Sequence, residues 1–80
     1  MTAKLAETQL WQRNLASLIR SGLFTQADTG EQHGLFTVVG VYRNGTPSAP
    51  VAKYADWRRA HDAAQLVNHL ARSDSGFENN

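Results

Sequence analysis

The stretch LFTVVGVYRNG, residues 35–45, decides the fold. Its first nine residues are rich in β-branched and aromatic side chains, which suit a pleated, half-buried surface. Asn44-Gly45 follows at once, and that dipeptide suits the type I′ turn of a tight hairpin. A strand is therefore expected to return antiparallel over roughly 48–54. Pro50, with Pro47 just before it, cannot donate to a ladder, so the returning strand belongs at a sheet edge. The pleat puts Phe36, Val38, Gly40 and Tyr42 on one side of the outgoing strand, and Leu35, Thr37, Val39, Val41 and Arg43 on the other. A two-residue turn pairs Arg43 with Thr46, Val41 with Ser48 and Val39 with Pro50. The first side then gains Ala49 and Val51, with Gly40 leaving room for a helix, and reads as the core side. The second side gathers Thr37, Arg43, Thr46 and Ser48 and still displays Leu35, Val39 and Val41, with Tyr54 beside them.

Amphipathic segments flank this hairpin. Trp11, Leu15, Leu18 and Ile19 follow the spacing of one buried helical stripe, which Thr8 and Leu5 extend backwards, while Gln12, Arg13, Asn14, Ser17 and Arg20 fall outside it. Leu10 lies off the stripe. A helix is expected near 3–21, with Thr2 as N-cap, Gly22 in the left-handed C′ position and Leu23 as the apolar C″ residue of a Schellman motif. Residues 23–27 suit a short strand, and Asp28 to Gly34 (DTGEQHG) reads as a polar loop. Asp56 is a candidate N-cap for a second helix, whose inner face is Trp57, Ala60, Ala63, Ala64, Val67, Leu70 and Ala71. Its outer face carries Arg58, His61, Asp62, Gln65, His69 and Arg72. SDSGFENN at 73–80 is a polar tail expected to be disordered, with Phe77 its one apolar residue.

The order is therefore α-(β)-β-β-α. The expected fold is a single α+β domain over 1–72: a two-layer sandwich with an antiparallel hairpin or three-stranded meander and two flanking helices on one sheet face.

Composition narrows the function. The 80 residues are 41% hydrophobic and 19% charged, which suits one small globular domain. No run approaches the roughly 18 apolar residues of a membrane span, and the opening MTAKLAETQLWQRN lacks the apolar core of a secretory signal. A cytoplasmic protein is the expectation, with no membrane association. The absence of cysteine removes disulfides, thiolate metal ligands and cysteine nucleophiles.

The histidines, at 33, 61 and 69, offer little chemistry. His61 and His69 share a helix face but stand about 12 Å apart by axial rise, too far for one ion. His33 lies with Asp28 and Glu31 in a segment too loosely held for acid–base work. No GxGxxG, GxxxxGK[ST] or GxSxG motif occurs. No catalytic residue, metal site, cofactor or small-molecule substrate is expected, and the chain reads as a non-enzyme.

Two binding readings remain. A strand pair apolar on both sides needs cover on both; two short helices cover only one well, unless one helix lies on each face and nothing is spare. Leu35, Val39 and Val41, bordered by Thr37, Arg43 and Ser48, have the apolar centre and polar rim of a protein interface. This favours a protein-binding module, either an adaptor or an inhibitor of the kind phages and plasmids carry, or a homodimer through the same face. The alternative is nucleic acid. The net charge is +1 overall, but residues 43–72 hold Arg43, Lys53, Arg58, Arg59 and Arg72 against Asp56 and Asp62. Those five cations are the candidate phosphate contacts, with Arg58 and Arg59 in a first helical turn whose free N–H groups also favour anions. Arg58 also stands four residues before Asp62, the spacing of a surface ion pair. The element order, with RRAHDAA at 58–64 opening the last helix, resembles the double-stranded-RNA-binding domain family. Arg58, Arg59, Ala60, Ala63 and Ala64 carry the likeness, which implies an α-β-β-β-α fold and RNA contact at the start of the last helix. The chain departs from that family in an alanine pair one residue early, in His61 at the third basic position and in lacking a Gly/Ser-rich approach loop.

Overall fold

A computed structural model describes the backbone of residues 9–78 and the side chains of residues 9–72. The order is α1 (Leu10–Arg20), β1 (Phe24–Gln32), β2 (Leu35–Tyr42), β3 (Ala52–Tyr54) and α2 (Trp57–Glu78). The strands form one antiparallel sheet with β2 in the middle. The expected α+β sandwich, with its three-stranded meander and two flanking helices, is the observed fold. Thr2, Leu5 and Thr8 lie outside the described residues, as does the side chain of Phe77. The backbone of α2 continues helically into the segment read as a polar tail.

One core joins both helices to one sheet face. Leu15 and Ala16 of α1, and Ala60, Ala63, Ala64, Val67 and Ala71 of α2, are buried with Phe24, Ala27 and Val38 of the sheet. Phe36, Ala52 and Tyr54 pack at its margin. All six sheet residues lie on the side carrying Phe36, Val38 and Gly40. Small alanine side chains let α2 lie close to the sheet, and Val67 of α2 and Val38 of β2 are fully enclosed. The α1 stripe is turned from the expected one: Gln12 and Ala16 are buried while Leu18 is exposed. Gln12 tolerates burial because its Oε1 accepts a 2.8 Å bond from the Gln9 N–H, one of the donors a helix start leaves unpaired. Trp57 also leaves the expected stripe, lying half-exposed and stacked on His61 at 4.7 Å between ring centroids.

Helix α1 starts at Leu10, with extended Gln9 as its N-cap, rather than near residue 3; the end of α1 and the start of α2 form as the residues dictate. Gly22 has φ +96°, Leu23 N–H donates to Leu18 O and Gly22 N–H to Ile19 O, the two bonds of a Schellman motif. Asp56 caps α2 by accepting from the Arg58 N–H at 3.0 Å.

The strands depart from the sequence reading in two places. β1 is not a short strand followed by a polar loop; it runs nine residues, and Gln32 pairs with Leu35. His33 (φ 54°) and Gly34 (φ 80°) alone make the turn, both with the positive φ of a type I′ hairpin. The expected turn at Asn44-Gly45 is instead a three-residue loop. Gly45 N–H donates to Tyr42 O, Tyr42 N–H donates to Thr46 O, and Gly45 alone has positive φ, the pattern of a turn closed by a glycine bulge. Val41 consequently faces Pro47 rather than Ser48. The segment 48–51 then bulges before β3 pairs Val38 with Ala52 and Phe36 with Tyr54. This is one residue away from the expected register, and a slip of one exchanges faces. Ala52 and Tyr54 thereby reach the core side, and Val51 is left exposed. Tyr54 is therefore not on the outer face.

Candidate functional site

The sheet face away from the helices carries Leu35, Thr37, Val39 and Val41 from β2. Their register partners Gln32, Gly30, Asp28 and Gln26 come from β1, and Lys53 opposite Thr37 comes from β3. Among the described residues, both helices pack against the other face. The face is not flat, however. A concavity of about 600 Å³ lies over it, floored by Thr37, Val39 and Val41. Gln26 and Asp28 stand on one side, and Pro47, Ser48 and Pro50 of the bulged return segment on the other. Thr37 is 2% and Val39 7% exposed, so they form a sunken floor rather than the open stripe the sequence implied. Val41 is half-buried and Leu35, beyond the concavity, is exposed.

Of the six residues expected to bind a partner, Thr37, Val39, Val41 and Ser48 come together around this hollow, and Leu35 stands on the same face. Arg43 does not join them. Its Nε donates to Gly22 O at 3.2 Å, where a cation meets the negative end of α1. The Ser48 hydroxyl serves the backbone, accepting from the Gly40 N–H at 2.9 Å and donating to Ala49 O at 2.8 Å. With the Ser48 N–H on Gly40 O at 2.7 Å, it completes the hydrogen bonding of β2 where the prolines on either side have no N–H to give. The charged residues lining the hollow are Asp28 and Glu31, both acidic.

The five candidate phosphate contacts are not gathered on one surface. Arg43 follows Tyr42 at one end of β2, while Arg58 and Arg59 follow β3 at the other, about 20 Å away along the strand. Arg72 lies about 21 Å along α2 from Arg58. Arg58 and Asp62 stand 3.9 Å apart as an exposed i, i+4 pair. Lys53 is exposed on the outer face. One association was missed in sequence: the His33-Gly34 turn and the start of α2 occupy the same end of the sheet, because Gln32 pairs with Leu35 and Phe36 with Tyr54. The dipeptide His-Gly is a weak turn signal, and reading it as part of a loop hid that neighbourhood.

A further hollow of about 500 Å³ lies between α1 and the β2–β3 loop, lined by Trp11, Leu18, Phe24, Tyr42 and Val51 among others. Among the described residues there is no group of three metal-ligating side chains and no helix long and apolar enough to cross a membrane. Compared with protein-family models, curated proteins and solved structures, the chain matches none.

Proposed function

We propose that this is a non-catalytic, cytoplasmic binding protein that docks a protein partner, or a second copy of itself, on the sheet face opposite the helices. The observation that carries the reading is the sidedness of the core. Both helices pack on one face, which leaves a walled hollow with an apolar floor on the other. An apolar floor with polar borders is the anatomy of an interface centre. The lining holds two acids and neither lysine nor arginine, which suits an apolar segment carrying a basic residue and opposes phosphate. The solution mass at micromolar concentration tests self-association, and Val41→Asp tests the face. A folded variant that loses its oligomer or partner supports the proposal, and one that keeps them contradicts it.

A second reading, nucleic-acid binding, is favoured by one observation. The order α-β-β-β-α is what the resemblance to double-stranded-RNA-binding domains implies. On this reading Arg58 and Arg59 touch phosphate, joined by His33 at the same end of the sheet. Duplex RNA binding that weakens steeply with salt and is lost in an Arg58→Glu/Arg59→Glu variant would favour it over the first.

A further inference from the structure

An edge strand offers unpaired N–H and C=O groups to any neighbouring strand, and β1 is a nine-residue edge. Gly40 spends its N–H and C=O on Ser48, toward β3. Its register partner Ala27 therefore turns its own backbone groups away from β2, as Thr29 and Glu31 do at the same alternation. Two of these three outward positions are closed by side chains. Ala27 N–H donates to Asn68 Oδ1 at 2.8 Å, and Asn68 Nδ2 donates to Ala27 O at 3.0 Å. The amide of Asn68 thus presents to β1 the acceptor and donor that another strand would. The neighbouring Gln65 Oε1 accepts from the same Nδ2 at 3.4 Å, which holds the amide in this orientation. The Thr29 N–H donates to Asp28 Oδ1 at 2.8 Å.

We propose that Asn68 is an edge lock, and that its release opens β1 to antiparallel pairing with β1 of a second copy of this chain. Self-pairing is the natural occupant because the outward groups at 27, 29 and 31 are symmetric about Thr29. Thr29 then faces Thr29 of the other copy, Ala27 faces Glu31, and Asp28 faces Gly30 rather than another aspartate. A two-fold contact of this kind closes at the dimer. It uses the strand edge, so it is distinct from docking on the sheet face and stands or falls separately.

Two measurements test the lock. In the unmodified protein, amide exchange at Ala27 is expected to be about tenfold slower than at Glu31, since a hydrogen-bonded amide must first open. Equal rates would overturn the proposal. In Asn68→Ala, the mass relative to the unmodified protein is expected to double as concentration rises. Adding Thr29→Pro, which removes an outward N–H without touching the β1–β2 ladder, is expected to restore it. A folded Asn68→Ala that keeps the unmodified protein's mass at every concentration would overturn the lock, as would a double variant that still pairs. Equal exchange rates at Ala27 and Glu31 would overturn the lock even if Asn68→Ala does not fold.

Discussion

A Cβ added at Gly40 would meet ring carbons of Phe24 at 2.7 Å, so this position accepts glycine because an aromatic ring lies across it. Phe24 in turn leans on Tyr42, ring centroids 4.9 Å apart, at the margin of the core. The sequence reading gave Gly40 the right face and a reason of the right kind, close approach, but assigned the approach to a helix. The ring comes instead from β1, whose length and register against β2 were not foreseen. Gly40→Ala is expected to destabilise the fold by about 1–3 kcal/mol through overpacking, read as a lower midpoint in urea at unchanged m-value. Polar side chains that serve the backbone were the least legible. Gln12 and Asn68 are unremarkable in a helical pattern, and their roles depend on backbone groups one turn away or 41 positions distant. Ser48 is a similar case. Ser48→Ala removes the acceptor for the Gly40 N–H and is expected to cost about 1–3 kcal/mol, with faster amide exchange at Gly40 as its signature.

Element by element, the helices were the easiest to read, because caps act locally. Gly22, Leu23 and Asp56 behave as their types require whatever packs around them. The strands were harder, because a strand is stabilised by neighbours far away in sequence. DTGEQ looks like loop by composition, yet it lies at an edge with one face on the open side of the sheet, where Asp28, Gly30 and Gln32 are tolerated. The hairpin it belongs to turns on His33 and Gly34. Gly34→Ala is expected to cost about 1–2 kcal/mol, since L residues pay to occupy φ +80°. His33→Asn, which adopts positive φ readily, is expected to leave the thermal midpoint unchanged or slightly raised. The other turn shows how one residue alters a face. A three-residue loop replaces the two-residue one, the segment 48–51 bulges, and Tyr54 crosses to the core while Val51 does not.

The whole molecule is a slab of 42 × 31 × 15 Å, thin enough for two layers. With both helices in one layer, the other side of the sheet has no cover among the described residues except the bulged return segment. That sidedness was legible in the sequence, since Phe36 and Val38 were separable by pleat from Leu35, Val39 and Val41. The depth of the hollow was not, because it depends on the bulge between two prolines. Charge was legible in part. The Arg58–Asp62 pair follows from its i, i+4 spacing, whereas Arg43 at the end of α1 is a fact of three-dimensional neighbourhood. Arg43→Ala is expected to lower stability by about 0.3–1 kcal/mol without changing any nucleic-acid affinity, as measured by urea melts and by salt-dependent RNA titration side by side.

The proposed binding depends on the free sheet face. It is tested most directly by comparing Val41→Asp with Arg58→Glu/Arg59→Glu for thermal midpoint and for retention of the protein ligand or oligomer. Both variants are expected to stay folded, Val41→Asp to abolish binding, and the double arginine variant to bind as the unmodified protein does. Binding kept by a folded Val41→Asp and lost by the arginine variant would contradict it.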